Sequence, residues 1–403
     1  MKTHENKFGM FIHWGIYAMT ELQDQAVIRY SMNVAEYENN AKLFNPLEYD
    51  PEQWVLTAKN AGMKYICFTT KHHDGFCMWD TKYTDYNIMH TAYGKDVLKM
   101  LAHACEKHGM LLSLYYSCPD WNHPCGYNPN STHQWLAKNK FEPDMPTYME
   151  FIRNQITELL TNYGKIYTFF WDIPPRITDK SFNELVRKLQ PGIYINNRGF
   201  DEGDFSTPER DYDVLAGKRF EKMTEACNSL GEQSWGYRRQ EDFHTVKYLL
   251  SSIDEMMAMG GSYLLNVGPR ADGVMDEAYL KRLAVIGNWY NRMEGCLEGH
   301  EEDPFDYQIA KEKFNPYVVN RKNGKSYFHF YNGIMSSAVS FKKFPSNPKS
   351  VRLMNTNQKL EYRIEILPEY FLDTGRSEDM YLHITGIPAD ELASEPIVIE
   401  IEW

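Results

Sequence analysis

The sequence lacks any long run of apolar residues. None of its hydrophobic stretches approaches the roughly 20 residues that a helix needs to cross a bilayer. The first seven residues contain no apolar segment of the kind found in secretory signals. We therefore expect no membrane partner. The sequence does not decide the compartment. We expect a cytoplasmic protein if the chain is complete, and a periplasmic or secreted one if it is a mature form.

Basic residues are outnumbered by acidic ones. Lys and Arg total 43 against 55 Asp and Glu, which gives a formal net charge of -12. Binding to a phosphate backbone depends on clustered Lys and Arg. A nucleic acid is therefore excluded as an expected partner.

The chain lacks the common cysteine, metal and nucleotide motifs. Its seven cysteines are scattered and odd in number, and no Cys-x-x-Cys, His-Glu-x-x-His or Gly-x-Gly-x-x-Gly occurs at a suitable place. A disulfide framework, a zinc cluster and a dinucleotide site are thus all disfavoured. A barrel metallohydrolase typically carries His-x-His on its first strand, and this chain offers only His13 there. We expect no metal.

An alternation of strand and helix patterns fills the first 290 residues or so. Short apolar runs alternate with helical segments that end at glycine, which indicates parallel βαβ units. The predicted strands are Phe8–Trp14, Tyr65–Thr70, Leu111–Ser117, Ile166–Trp171, Ile193–Asn196 and Ser262–Val267. Polar residues recur at the strand ends, so the pattern favours an irregular (β/α)8-like (TIM-type) barrel over an open doubly wound sheet.

The periodicity changes after Gly299. Residues 360–366 and 397–403 alternate between apolar and charged side chains, and Asn-Gly and Thr-Gly turns separate such segments. A period of two residues predicts strands with one buried face. We expect a catalytic barrel over residues 1–302 and a C-terminal antiparallel β-sandwich over residues 303–403.

Candidate site residues follow the predicted strands. A buried strand leads directly into Lys71, His72, His73 and Asp74, and a pair of histidines alone is usually structural. In a barrel, however, the carboxyl ends of the strands converge on one face. The polar residues at these ends are His13, His72, His73, Tyr115, Asp172, Asn197 and Arg198.

Asp172 follows an apolar run that ends at Trp171. Burying a carboxylate there is costly unless it has a partner or a task. From the residues alone, Asp172 could equally well cap the loop that begins at Ile173.

Two segments carry a family resemblance. Residues 71–76, Lys-His-His-Asp-Gly-Phe, together with Phe8–Gly15, resemble the α-L-fucosidase family of retaining glycoside hydrolases (glycoside hydrolase family 29). The similarity extends to Gly260–Gly273 and so covers nearly the whole barrel. It implies that Asp172 is the nucleophile and that Glu209, in Asp204–Glu209, is the acid/base. Glu221 and Glu225 remain alternatives to Glu209.

The resemblance also implies a fucose pocket. Its expected members are His13, His72, His73, Tyr115, Phe170, Arg198 and Trp235. Arg198 could instead be an ordinary ion-pair residue. The chain departs from the family in two places: Ile28, Arg29 and Tyr30 stand where Glu-Trp-Tyr is usual, and Phe170 replaces a Trp.

The resemblance thus implies an exo-acting retaining α-L-fucosidase. Such an enzyme needs no cofactor, because two carboxyl groups supply the nucleophile, acid and base. The expected partner is a fucosylated oligosaccharide or glycoconjugate, and the chain could form a homo-oligomer. Because of the two departures, a related glycone such as α-L-galactose and a carbohydrate-binding pseudoenzyme remain alternatives.

Overall fold

The computed structural model describes residues 7–134, 136, 142–210, 219–310, 315–366 and 380–403. Its first part contains seven parallel strands in the order β5-β4-β3-β2-β1-β7-β6. The strands are β1 (Phe8–Ile12), β2 (Tyr65–Lys71), β3 (Leu111–Ser117), β4 (Ile166–Asp172), β5 (Tyr194–Ile195), β6 (Glu225–Ser229) and β7 (Ser262–Val267). This arrangement confirms the predicted TIM-like barrel.

An irregular segment closes the barrel between β5 and β6. Residues 205–209, here called the closing segment, form isolated parallel bridges to both neighbours. On the β5 side, the Asn197 amide donates to the Phe205 carbonyl at 2.9 Å, and on the β6 side the Cys227 amide donates to the Pro208 carbonyl at 2.8 Å. The closing segment therefore takes the place of an eighth strand, and it carries Glu209.

Eight α-helices belong to the described part of the barrel. They are α1 (Ala26–Arg29), α2 (Val34–Leu43), α3 (Pro51–Asn60), α4 (Val97–His108), α5 (Met145–Asn162), α6 (Ser181–Leu189), α7 (Val246–Ala258) and α8 (Glu277–Leu297). Side chains such as Asp50, Asp96 and Asp144 accept hydrogen bonds from the first helical turns, which satisfies amides that have no partner inside the helix. None of the described helices is long and apolar enough to span a bilayer.

The predicted strands agree with the observed ones to within two residues at each end. One observed strand, β6, is not among the predicted strands. Its sequence is Glu-Ala-Cys-Asn-Ser, and all five residues are buried. Because the polar residues Glu225, Asn228 and Ser229 are buried there, β6 lacks the apolar run by which the other strands were recognised.

The C-terminal part is a sandwich of two antiparallel sheets, as predicted. The six-stranded sheet has the order β14-β13-β17-β11-β10-β8, and the four-stranded sheet has the order β15-β16-β12-β9. Their strands are β8 (Glu301–Glu302), β9 (Gln308–Ile309), β10 (Val318–Lys322), β11 (Lys325–Phe330), β12 (Ala338–Lys343), β13 (Ser350–Leu353), β14 (Gln358–Lys359), β15 (Glu361–Glu365), β16 (Tyr381–Thr385) and β17 (Ile397–Glu402). The boundary after residue 302 stays a prediction.

A buried polar contact joins the sandwich to the barrel helices. His329 on β11 and Asp254 on α7 are both fully buried, and His329 Nδ1 lies 2.9 Å from Asp254 Oδ1. The Asn320 amide nitrogen lies 3.1 Å from His329 Nε2 and also donates to the Cys296 carbonyl at 3.0 Å. Nε2 therefore accepts, and Nδ1 donates to the carboxylate.

We expect His329→Ala to destabilise the protein by about 3 kcal/mol, because it leaves the Asp254 carboxylate buried without its partner. Thermal unfolding of the two proteins measures the change. His383→Ala is the matched control, since His383 is only half-buried and bonds to the Ser340 hydroxyl. Equal unfolding midpoints for His329→Ala and the wild type would contradict the role of this contact.

Candidate active site

The structure brings the predicted polar residues together at the carboxyl ends of the barrel strands. Asp172 is the last residue of β4, His72 and His73 directly follow β2, and His13 directly follows β1. Tyr115 lies on β3, and Arg198 follows β5. Parallel strands present their carboxyl ends at one face of a barrel, which is where active sites are built.

Asp172 is buried and held by several neighbours. The Tyr115 phenol donates to its Oδ2 at 2.7 Å, and Arg198 Nη1 donates to its Oδ1 at 3.1 Å. Nε2 of His73 is 3.8 Å from Oδ2. Burial raises the pKa of the Tyr115 phenol well above its usual value, so Tyr115 keeps the proton that it donates.

These contacts decide the charge of Asp172. Burial pushes its pKa upward, but the charge of Arg198 and the Tyr115 hydrogen bond outweigh burial, and the net shift of the pKa is downward. Asp172 is therefore an ionised carboxylate at neutral pH, as a nucleophile must be.

The pKa of Glu209, on the closing segment, shifts in the opposite direction. Its pKa is raised, first by burial and also by the negative charge of Asp172, although Arg198 opposes the shift. The side chain is 39% exposed at one edge of the site, so solvent moderates the effect. Two carboxyl groups whose environments shift their pKa values in opposite directions are a common arrangement for a nucleophile and an acid.

One nitrogen joins the two carboxyl groups. Nη1 of Arg198 donates both to Asp172 and to Glu209. Because such hydrogen bonds are close to 3 Å long, the two bonded oxygens lie at most about 6 Å apart. Retaining glycosidases place their two carboxyl groups about 5–5.5 Å apart, and inverting ones about 6.5–9.5 Å apart.

Two of the histidines are fixed as neutral acceptors. His13 Nδ1 donates to Asn266 Oδ1 at 2.6 Å, and His73 Nδ1 donates to the Ser117 hydroxyl oxygen at 2.8 Å, since that hydroxyl itself donates to the Pro119 carbonyl. Burial lowers the pKa of both imidazoles. Each Nε2 is thus left with a lone pair that can accept a hydrogen bond from a hydroxyl.

His72 has no such fixed partner. Its Nδ1 is buried without a hydrogen-bond partner among the described residues, and its Nε2 is 3.9 Å from Asp24 Oδ2. Burial lowers the pKa of His72 well below its usual value. A polar group of a bound ligand would satisfy this imidazole, because buried polar groups are rarely left unpaired.

Aromatic rings border the site. The Trp235 ring stacks on His13 with centroids 5.3 Å apart and is partly exposed, so it can contact a ligand. Phe170 is only 1% exposed and packs against Phe11 and Tyr115 inside the barrel. Phe170 therefore supports the site from below, and a direct contact with substrate stays a prediction.

Sequence reasoning missed Asp24. This buried residue precedes α1, and its Oδ1 accepts from the amides of Trp235 and Gly236 at 3.1 and 3.2 Å. Its other oxygen faces His72. Nothing in the local sequence marks Asp24, although it lies only four residues before Ile28, where the chain departs from the family pattern.

The two alternatives to Glu209 as the acid/base, Glu225 and Glu221, are not bonded to the Arg198 nitrogen that contacts Asp172 in the described structure. Glu225 is the first residue of β6, at the amino end of the barrel strands, and its Oε2 accepts from the Tyr65 phenol at 2.6 Å. Burial raises the pKa of Glu225 to about 7. Glu221 is exposed before β6. Of the three candidates, only Glu209 shares a hydrogen-bond partner with Asp172 in the described structure.

A metal site is not apparent in the described ranges, where no group of three or more His, Cys, Asp or Glu side chains is arranged to hold an ion.

Comparisons with known sequences point to one family. A sequence profile of the α-L-fucosidase family matches residues 2–294. The plasma α-L-fucosidase of Homo sapiens is 26% identical over 312 residues, which cover 70% of this chain and 66% of that protein. The putative α-L-fucosidase of Caenorhabditis elegans is 27% identical over 328 residues, 73% of this chain and 66% of that protein. The chain thus matches just under two thirds of the length of these relatives.

Solved structures are similar over almost the whole chain. The α-L-fucosidase isoenzyme 1 from Paenibacillus thiaminolyticus superimposes with a TM-score of 0.82 at 30% identity, covering 98% of this chain and 96% of that one. The Thermotoga maritima α-fucosidase, solved with a mechanism-based inhibitor, gives a TM-score of 0.77 at 25% identity and covers 99% and 95%. Both the barrel and the sandwich are therefore shared.

The raised pKa of Glu225 predicts a pH-dependent effect of Glu225→Gln. The wild type loses stability as pH rises from the unfolded pKa of about 4.3 to about 7, because only the unfolded state ionises readily. The variant has no such loss. The unfolding free energy of the variant minus that of the wild type should therefore increase by about 3 kcal/mol from pH 4 to pH 8.

Thermal unfolding across this pH range tests the prediction. Glu221→Gln is the matched control, since Glu221 is exposed, and its difference from the wild type should not change with pH. A constant difference for Glu225→Gln as well would mean that Glu225 is not held protonated in the folded protein.

Proposed function

Because the chain belongs to the α-L-fucosidase family, we propose that it is an exo-acting retaining α-L-fucosidase. It would release terminal L-fucose from fucosylated oligosaccharides or glycoconjugates. The observation that carries this proposal is the single Arg198 nitrogen bonded to two carboxyl groups, one ionised and one with a raised pKa. Their closeness suits a retaining mechanism.

In the first step, an Asp172 oxygen attacks the anomeric carbon of the fucoside. The bond between that carbon and the leaving oxygen breaks, and Glu209 transfers its proton to this oxygen. The result is a fucosyl ester of Asp172 and a free acceptor alcohol. Transfer of the proton prevents the leaving group from departing as a costly alkoxide.

In the second step, Glu209, now ionised, takes a proton from water. The water oxygen attacks the anomeric carbon and the ester bond to Asp172 breaks. Fucose leaves with its original anomeric configuration, because two inversions have occurred. Asp172 is again ionised and Glu209 again protonated, so no cofactor takes part in the cycle.

Neutral imidazoles suit the sugar-binding role. The positively charged, oxocarbenium-like transition state would be disfavoured by protonated histidines, and burial keeps His13, His72 and His73 uncharged. Their depth in the barrel supports recognition of a terminal residue rather than of an internal one. A homo-oligomeric state stays a prediction.

Replacing either carboxyl group distinguishes the two roles. We expect Asp172→Asn to lower kcat on an aryl α-L-fucoside on the order of 10³-fold or more, because no nucleophile remains. On a substrate with a poor leaving group, the kcat of Glu209→Gln should fall about 10²- to 10⁴-fold. With a good leaving group, azide should accelerate Glu209→Gln and yield fucosyl azide, since azide needs no general base.

Glu221→Gln and Glu225→Gln serve as controls and should retain wild-type turnover. Azide rescue of either of these variants, rather than of Glu209→Gln, would move the acid/base role to that residue. A wild-type protein that binds L-fucose without cleaving the fucoside would favour a carbohydrate-binding pseudoenzyme.

A further inference from the structure

Arg198 is held by more than the two carboxyl groups. Its Nε donates to the Thr207 hydroxyl oxygen at 2.6 Å, and its Nη2 donates to the Thr207 carbonyl oxygen at 2.5 Å. Only Nη1 is directed to Asp172 and Glu209. All three nitrogens of the guanidinium are therefore engaged, and one residue binds two of them.

Burial and backbone hydrogen bonds on both sides of Thr207 hold it in place. It is buried in the closing segment, two residues before Glu209. The segment is bonded to β6 on both sides of Thr207, since the Glu225 amide donates to the Ser206 carbonyl at 2.9 Å and the Cys227 amide donates to the Pro208 carbonyl at 2.8 Å. The following Pro208 further restricts Thr207 to an extended backbone.

We propose that Thr207 is a positioning residue, which holds the Arg198 guanidinium so that Nη1 contacts the nucleophile and the acid/base at the same time. This inference rests on the proposed function. In the described structure the Thr207 hydroxyl bonds to Arg198 rather than to either carboxyl group, so we expect it to act through Arg198.

The geometry explains why such a support is needed. Arginine has a long side chain with many rotamers, and an unsupported guanidinium prefers a bidentate pair with one carboxylate. Such a pair with Glu209 would remove positive charge from Asp172 and would hold Glu209 in its ionised form. Two bonds to Thr207 occupy the edge of the guanidinium formed by Nε and Nη2, so that a shared contact through Nη1 remains.

A purely structural role for Thr207 would give a different result. Its hydroxyl could simply satisfy a buried donor, and its loss would then lower stability without changing catalysis. If Thr207 positions Arg198, its loss should lower kcat more than it raises KM. It should also shift the acidic limb of the pH profile upward, because the charge of Arg198 helps to keep the pKa of Asp172 low.

The test compares Thr207→Val, which keeps the shape but lacks the hydroxyl, with Thr207→Ser, which keeps the hydroxyl. Thr207→Ala is a second variant without the hydroxyl, in case valine does not fit; the backbone carbonyl that accepts from Nη2 is present in all three variants. On an aryl α-L-fucoside we expect kcat to fall about 10- to 100-fold in Thr207→Val. Thr207→Ser should restore most of this loss and the wild-type pH profile.

Two outcomes would overturn the inference. One is that the wild type is active and that Thr207→Val and Thr207→Ala both keep its kcat and its pH profile. The other is a crystal structure of Thr207→Val in which Nη1 of Arg198 still bonds to both carboxyl groups. The crystal structure needs no turnover. If the wild type is itself inactive on the fucoside, the proposed function fails separately, and the position of Arg198 in that structure still decides the role of Thr207.

Discussion

The proposed active site depends on one cation shared by two carboxyl groups. Arg198 Nη1 donates to Asp172 and to Glu209, and these residues come from different parts of the barrel wall, β4 and the closing segment. The shared contact fixes their separation. The Tyr115 hydrogen bond adds to the effect of Arg198 on Asp172 alone, so one carboxyl group is ionised while the pKa of the other is raised.

The surrounding barrel allows one carboxyl group to be ionised while the pKa of the other is raised. Burial lowers the pKa of the three histidines, so they add hydrogen-bonding groups without adding positive charge next to Arg198. Asn266 and Ser117 fix which nitrogen of His13 and of His73 carries the proton. Three uncharged imidazoles and several aromatic rings thus accompany the two carboxyl groups at this end of the barrel.

Much of this could be predicted from the sequence, because buried parallel strands are apolar runs and the residues after them, such as Asp172, meet at one face. Three features could not. The strand β6 carries buried polar residues and therefore resembles a loop. Asp24 acquires its neighbours His72 and Trp235 only through folding. The family resemblance favours Glu209 over Glu221 and Glu225, but the sequence does not show which end of the barrel or which surface each of them reaches.

The most direct test of the account is to identify the residue that becomes fucosylated. A 2-deoxy-2-fluoro-L-fucosyl fluoride combines a good leaving group with a slowed second step, so the ester should accumulate and can be located by peptide mass spectrometry. We expect a label on the peptide that contains Asp172, at that residue. A label on another carboxylate of an active protein, or release of fucose with inverted configuration from an ordinary fucoside, would contradict it.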